Sequence, residues 1–114
     1  MDECIFCKIA RHEILTQAVY EDDRIIAFKD LKPVAPIHIL IVPKRHIPEL
    51  TAIDEGDKNL IGDVFLVAKK LALETNISDD GFRVVVNQGK NAGQSVPHLH
   101  FHLLGGRLMG WPPG

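Results

Sequence analysis

Three histidines alternate with large apolar residues near the end of the chain, in the run HLHFHLL. Side chains on a β-strand point alternately to the two faces of a sheet, and residues on the same face lie about 7 Å apart. A strand over residues 98–104 therefore places His98, His100 and His102 on one face, with the intervening apolar residues in the core. Solvation alone does not favour such strict alternation, so we expect these imidazoles to form a chemical site.

Two kinds of chemistry suit the histidine run. An imidazole titrates near pH ~6.5, so it is available at neutral pH as a nucleophile or a proton carrier. Alternate histidines on a strand are also suitably spaced metal ligands, and a metal site is the main competing interpretation. The polar loop before the run (residues 88–95) favours a phosphate ligand, because Gly93 allows close backbone approach and Gln94 and Ser95 add donors.

Hydrophobic periodicity predicts a single domain of the α+β class. The predicted order is a short helix, three strands, a long helix and two strands, which suggests a five-stranded, mainly antiparallel sheet. The predicted elements are a helical turn at residues 4–10, strands at 18–21, 24–30, 37–42, 81–87 and 99–104, and a helix at about 54–75 with Thr51 or Asp54 as its cap.

Charge and hydrophobicity limit the partners of the chain. The 114 residues carry a net charge of −2, and the basic residues are scattered, which argues against binding to a nucleic acid polymer. No run approaches the roughly 18 to 20 apolar residues of a membrane span, and the acidic start of the chain is unlike a signal peptide. We therefore expect a cytoplasmic protein with no membrane partner.

Cys4 and Cys7 form a Cys-x-x-Cys pair, which in the cytoplasm favours metal binding or redox chemistry over a structural disulfide. We predict a zinc site made of Cys4, Cys7, His46 and His98. The zinc would be structural, because four protein ligands leave no open position for water. Two other interpretations are buried cysteines with a solvated His46, and a thioredoxin-like redox motif, which is disfavoured because no strand precedes it.

Four stretches of the chain resemble the Hint branch of the histidine triad (HIT) superfamily, the purine nucleoside phosphoramidases. They are PHLHFHLL (residues 97–104), FKDLKPVAPIHILIVPKRHI (28–47), VVNQGKNAGQS (85–95) and LLGGRLMGWPPG (103–114). The ending GWPPG is typical of the Hint branch rather than of the dinucleoside polyphosphate hydrolases. The Cys-x-x-Cys pair is typical of bacterial members, some of which bind zinc. The resemblance implies a single HIT domain over residues 1–114.

The resemblance implies catalytic roles for four residues. His100 would be the nucleophile on the α-phosphorus, giving a transient nucleotidyl-histidine. His102 and His38 would bind and orient the phosphate and the nucleophile, and Ser95 would lie near the departing nitrogen. Two transfers, first to His100 and then to water, replace one difficult step by two easier ones. Relatives that transfer nucleotides to sugars carry glutamine at the position of His102, so histidine there favours hydrolysis.

The resemblance also implies a nucleotide-binding set. Its members are Ile5, Phe6, Ile9, Phe28, Asp30, Leu31, Asn87, Gly93, Gln94, Ser95, His100 and His102. The carboxylate of Asp30 would accept from both ribose hydroxyls, and the five apolar members would form a slot for the purine. The alternative for those five residues is an ordinary position in the core.

The expected function is therefore hydrolysis of purine nucleoside 5′-phosphoramidates, with aminoacyl-adenylates as further substrates and no cofactor required for catalysis. Two alternatives stay open, which are a dinucleoside polyphosphate hydrolase and a zinc-stabilised nucleotide-binding or interaction module with residual catalysis. The resemblance further implies a homodimer that shares one ten-stranded sheet, with each C-terminal tail reaching toward the partner's site.

Overall fold

The computed structural model describes residues 4–114 as a five-stranded sheet with a helix on each face. The elements are helix α1 (Ile5–Ala10), strands β1 (Ala18–Glu21), β2 (Ile25–Lys29) and β3 (Ile37–Pro43), helix α2 (Lys58–Glu74), and strands β4 (Phe82–Val85) and β5 (Phe101–Gly105). The strand order is β1-β2-β3-β5-β4, and every neighbouring pair is antiparallel. The predicted α+β class and five-stranded sheet are confirmed.

Both faces of the sheet are covered, which explains why β2 and β3 are continuous apolar runs rather than alternating ones. On β3, Ile39 and Ile41 pack in the large core beneath α2. Leu40 and Val42 point to the other face, where they pack with Phe6 of α1. Even-numbered residues of β3 therefore lie on the α1 face of the sheet.

Helix α2 begins later than the sequence pattern predicts. Asp54 is a cap, as expected, but it caps a 3₁₀ turn over Glu55–Asp57, and the α-helix starts at Lys58. The Asp54 side chain accepts a hydrogen bond from the Gly56 amide at 2.8 Å, and the Asp57 side chain accepts one from the Asp54 amide at 3.1 Å. Among residues 4–114, no helix is long and apolar enough to span a membrane.

Strand β5 begins later than predicted, at residue 101 rather than 98 or 99. Its pairing with β3 ends where Phe101 faces Ile41. If the pairing continued in the same register, Leu99 would face Pro43. Proline has no amide hydrogen to donate to a ladder, and the Leu99 amide donates instead to the carbonyl of Ile47 at 2.6 Å. The alternation still holds, since Leu99 packs in the core beneath α2.

Two glycines allow the chain to leave β5 closely packed against its neighbours. A Cβ on Gly105 would lie 2.5 Å from Cδ1 and 3.0 Å from Cβ of Ile77. Gly106 has a φ of +92°, and a Cβ there would lie 2.9 Å from Cβ of Pro36. The segment that follows β5 is therefore held against the loop that precedes β3.

We predict that Gly105→Ala lowers the free energy of unfolding by about 1–3 kcal/mol, because the new methyl group clashes with the buried side chain of Ile77. Gly62→Ala is the matched control, since a Cβ at that position in α2 meets nothing within 4 Å. It should raise the free energy of unfolding by up to about 1 kcal/mol through helix propensity. Urea denaturation measures both, and equal effects of the two substitutions would contradict this packing account.

Candidate active site and metal cluster

The histidines of β3 and β5 lie on the α1 face of the sheet. His38 of β3 and His102 of β5 are within hydrogen-bonding distance, with 2.9 Å between Nε2 of His38 and Nδ1 of His102. The rings of His100 and His102 have centroids 5.1 Å apart, and the Phe6 ring of α1 packs edge-on against His100 at 5.0 Å. The three imidazoles that the family resemblance implies as catalytic are thus neighbours.

The hydrogen bond between Nδ1 of His100 and the His98 carbonyl shows which tautomer His100 adopts. Nδ1 of His100 lies 2.7 Å from the carbonyl oxygen of His98, and a carbonyl only accepts hydrogen bonds. Nδ1 therefore carries the proton and donates it to that carbonyl. This tautomer has its lone pair on Nε2, which is the nitrogen that can act as a nucleophile or a base.

A chain of hydrogen bonds assigns the tautomers of His38 and His102. The Val34 amide donates to Nδ1 of His38 at 3.1 Å, so the proton of the neutral His38 ring is on Nε2. Nε2 of His38 lies 2.9 Å from Nδ1 of His102 and 3.3 Å from Oδ2 of Asp30, so its proton faces both acceptors. His102 accepts at Nδ1 and therefore carries its own proton on Nε2, as a donor.

Burial keeps these imidazoles in their neutral forms. Burial lowers the pKa of His38, and the carboxylate of Asp30 opposes this change. Burial, followed by the nearby rings of His100 and His38, lowers the pKa of His102 to about 4. At neutral pH, His102 is therefore an uncharged hydrogen-bond donor, consistent with the tautomer that its partners assign.

The structure divides the implied purine slot into buried and exposed parts. Phe6, Ile9 and Phe28 are buried together on the α1 face, next to His100. Ile5 is exposed, and Leu31 is 94% exposed. The amide of Lys32 donates to Oδ1 of Asp30 at 2.8 Å, which fixes the carboxylate at the start of this exposed loop.

The loop of residues 88–95 is shaped by one glutamine. Gln94 accepts from the Gly89 amide at 3.0 Å, and its side-chain amide donates to the carbonyls of Pro48 at 2.9 Å and Val96 at 3.1 Å. Gly93 has a left-handed backbone, with φ 79° and ψ 33°. Gln94 therefore uses its amide group to hold the loop.

Ser95 is exposed and lines an open cleft of about 500 Å³, whose wall also includes Ile5 and Val96. Asn87 is partly buried beyond the end of β4. The polar residues implied as phosphate ligands thus remain available at the surface, on the segment that leads into the histidine run.

The predicted zinc ligands converge on one point. The donor atoms of Cys4, Cys7, His46 and His98 all lie within 4.8 Å of one another. Nδ1 of His46 and Nδ1 of His98 are 3.2 Å apart. The sulfur–nitrogen distances are 3.2 Å for Cys4–His98, 3.3 Å for Cys7–His46 and 3.6 Å for Cys7–His98.

These distances fit a tetrahedral zinc site. Zn–S bonds of about 2.3 Å and Zn–N bonds of about 2.0 Å place tetrahedral ligands roughly 3.3 Å (N–N) and 3.5 Å (S–N) apart. Nε2 of His98 lies 2.7 Å from the carbonyl oxygen of Pro43, so that nitrogen carries the proton and Nδ1 is free for a metal. Cys4 also caps α1, and its sulfur accepts from the Cys7 amide at 3.3 Å.

Comparisons with known proteins agree with the fold. The HIT domain model matches residues 11–109. The chain belongs to the HIT domain family. A HIT-like protein of Synechocystis is 49% identical over 113 residues, which are 99% of this chain and 98% of that protein.

Solved structures of the HIT family superimpose closely on the chain. A HIT family hydrolase from Legionella pneumophila has a TM-score of 0.97 at 47% identity, covering 98% of this chain and 100% of the other. A histidine triad nucleotide-binding protein from Candida albicans has a TM-score of 0.82 at 35% identity, covering 96% and 83% respectively.

The sequence pattern missed the backbone groups that fix the site. The Val34 amide and the Pro43 carbonyl determine which nitrogen of His38 and of His98 is protonated. Every residue has a backbone carbonyl and nearly every residue a backbone amide, so residue types alone do not predict these contacts. His38 itself carried a signal, because it is a polar residue at the start of an otherwise apolar strand, IHILIVP.

We predict that the free energy of unfolding falls as the pH is lowered from about 6.5 to about 4. In this range an unfolded histidine, with its pKa near ~6.5, binds a proton that folded His102 does not bind until about pH 4. The lowered pKa of His38 acts in the same direction. Urea denaturation at a series of pH values should therefore give a shallower fall for His102→Gln than for the wild type. Identical pH profiles would contradict the lowered pKa of His102.

Proposed function

We propose that this HIT-family chain is a hydrolase of purine nucleoside 5′-phosphoramidates, with aminoacyl-adenylates as further substrates. The observation that carries the proposal is the bare Nε2 of His100, whose Nδ1–H is bound to the His98 carbonyl. A buried imidazole with Nδ1 held by a carbonyl, Nε2 left without a partner among residues 4–114 and a neighbouring N–H donor on His102 suits attack on phosphorus. The relative from Legionella is described as a hydrolase, and the one from Candida as nucleotide-binding.

The reaction proceeds in two transfers. In the first, the lone pair on Nε2 of His100 forms a bond to the α-phosphorus, the P–N bond to the substrate amine breaks, and the amine leaves with a proton taken up from solvent. In the second, water attacks the phosphorus and gives up a proton to solvent, the bond to His100 breaks and returns its electron pair to Nε2, and nucleoside monophosphate is released. The Nε2–H of His102 donates to a phosphate oxygen, where negative charge develops. Ser95 lies near the departing nitrogen.

The remaining implied residues bind the nucleotide. Asp30 accepts from the ribose hydroxyls, while Asn87 and the backbone at Gly93 hold the phosphate. Gln94 contributes by fixing the loop through its contacts with Gly89, Pro48 and Val96. The purine packs against the edge of the apolar group that comprises Ile5, Phe6, Ile9, Phe28 and Leu31.

We predict that His100→Ala lowers turnover of an adenosine 5′-phosphoramidate by at least about a thousandfold, equivalent to ~4 kcal/mol. Binding of adenosine monophosphate should persist, because a nucleophile stabilises the transition state far more than the bound ground state. His102→Ala should cost less. Mass spectrometry of the wild-type reaction should detect an adenylylated histidine that is missing from His100→Ala.

Two outcomes would contradict this assignment. If His102→Ala were less active than His100→Ala, His100 would not be the nucleophile. If a diadenosine polyphosphate were hydrolysed much faster than the phosphoramidate, the substrate class would be wrong, and the dinucleoside polyphosphate hydrolase would be the better description.

We also propose that Cys4, Cys7, His46 and His98 hold a structural zinc ion, and that catalysis itself requires no cofactor. The support is the ligand set, the tetrahedral spacing of its donor atoms and the His98 tautomer. Four protein ligands leave no site for a reactive water. The ion would tie the N-terminal helix to the segment that contains the nucleophile.

Elemental analysis of protein purified without chelator should find about one zinc per chain. The double variant Cys4→Ser/Cys7→Ser should lose the zinc and unfold at a lower temperature, because zinc binding contributes directly to folding. His12→Gln is a matched control, since His12 is an exposed histidine bound to Glu21 and outside the cluster. Metal-free wild-type protein with two freely titrating thiols would exclude the site.

A homodimer and a cytoplasmic location complete the proposal. Apolar side chains are exposed on α2 and the edge strand β4, among them Phe65, Leu66 and Phe82, and Trp111 in the tail is also exposed. A symmetric partner would cover this surface and extend the sheet past β4. The expected ligands are purine nucleoside monophosphate derivatives, with no nucleic acid polymer and no membrane.

A further inference from the structure

An arginine beyond the catalytic strand contacts the loop that fixes the tautomer of His38. Nε of Arg107 donates to the carbonyl oxygen of Val34 at 3.0 Å, and its terminal NH1 nitrogen donates to the carbonyl of Leu108 at 3.1 Å. The amide of the same residue, Val34, donates to Nδ1 of His38 at 3.1 Å. The backbone of Val34 thus connects the guanidinium of Arg107 to the ring of His38.

The fold delivers Arg107 to this loop with little freedom. Gly105 pairs with Ile37 at the start of β3, and Gly106 packs against Pro36 at a distance that leaves no room for a Cβ. Pro33 precedes Val34, and proline restricts the backbone. The chain that leaves β5 therefore crosses the loop of residues 33–36, and the guanidinium binds the carbonyl of Val34 in that loop.

We propose that Arg107 is a positioning residue that keeps the Val34 amide on Nδ1 of His38 and thereby fixes the tautomers of His38 and His102. The consequence for catalysis rests on the proposed function, whereas the effect on the tautomers does not. Arg107 acts through the backbone and touches neither histidine.

Two groups set the direction of hydrogen bonding along the chain. The Val34 amide donates to Nδ1 of His38, and the carboxylate of Asp30, with Oδ2 3.3 Å from Nε2 of His38, also favours a proton on Nε2. With the Val34 amide on Nδ1, His38 donates from Nε2 and His102 keeps its proton on Nε2. If the amide moves away, Nδ1 of His38 can hold the proton, and Nε2 becomes an acceptor. Nδ1 of His102 then carries the proton, and its Nε2 loses the hydrogen that it would donate to a phosphate oxygen.

The chemistry of arginine suits this role. Its planar guanidinium presents several N–H donors in a fixed arrangement, so it can bind two carbonyl oxygens at once. Lysine can donate to the Val34 carbonyl but lacks the rigid fork. We therefore expect Arg107→Met to release the loop and Arg107→Lys to retain part of the effect.

The decisive measurement is ¹⁵N NMR of the histidine side chains, which distinguishes protonated from bare ring nitrogens. In the wild type, His38 and His102 should each be protonated on Nε2 alone. In Arg107→Met, both rings should show a mixture of tautomers, with Arg107→Lys intermediate. Arg24→Met is the matched control, because Arg24 is another exposed arginine, bound to Asp63 on α2, and it should leave the tautomers of the wild type.

Turnover is the second measurement. Arg107→Met should lower kcat for an adenosine 5′-phosphoramidate by about three- to tenfold, the effect of one hydrogen bond, with little change in KM, while Arg24→Met should match the wild type. A wild-type tautomer pattern in Arg107→Met would overturn the proposal, whatever the activity. If Arg107→Met did not fold, Arg107→Ala, which also removes the donor to the Val34 carbonyl, would take its place, and a wild-type tautomer pattern in it would overturn the proposal too. If no phosphoramidate were hydrolysed by the wild type, the proposed function would fail, and the NMR comparison would still decide the role of Arg107.

Discussion

His98 is the residue on which the rest of the site depends, because it makes three different contacts from one buried position. Its ring is 0% exposed and donates from Nε2 to the carbonyl of Pro43. That bond leaves Nδ1 facing the sulfurs of Cys4 and Cys7. Its own carbonyl accepts the proton on Nδ1 of His100. The same residue thus joins the end of β3, the N-terminal helix and His100.

Pro43 is the second part of this arrangement. A residue with an amide hydrogen at this point could continue the β3–β5 ladder to Leu99. With proline there, the ladder ends and the carbonyl of Pro43 is free to accept from a side chain. Residues 98–100 then leave the regular strand, and their backbone carbonyls become available. The carbonyl of His98 can accept a hydrogen bond from the ring of His100 because, within residues 4–114, it makes no hydrogen bond to a neighbouring strand.

The sequence was sufficient to predict the architecture and which residues lie on the same face of the sheet. The alternation of Leu99, Phe101 and Leu103 with histidines predicted which side chains enter the core, and the structure agrees. The predicted start of β5 was wrong, because alternation of polar and apolar residues does not show where pairing with the neighbouring strand ends. The tautomers could not be predicted, since they depend on backbone groups of Val34 and Pro43 that are distant in the sequence.

The contrast between the two histidine clusters shows what decides the chemistry of each. Each cluster brings its potential metal ligands within 4.8 Å of one another: three in Asp30, His38 and His102, and four in Cys4, Cys7, His46 and His98. In the first cluster, an amide donates to Nδ1 of His38, so Nε2 holds a proton and cannot bind a metal unless that proton moves to a nitrogen already facing a donor. In the second cluster, a carbonyl accepts from Nε2 of His98, so Nδ1 is free. A backbone donor therefore gives the first cluster a fixed direction of hydrogen bonding, and a backbone acceptor in the second leaves Nδ1 of His98 free for a metal ligand bond.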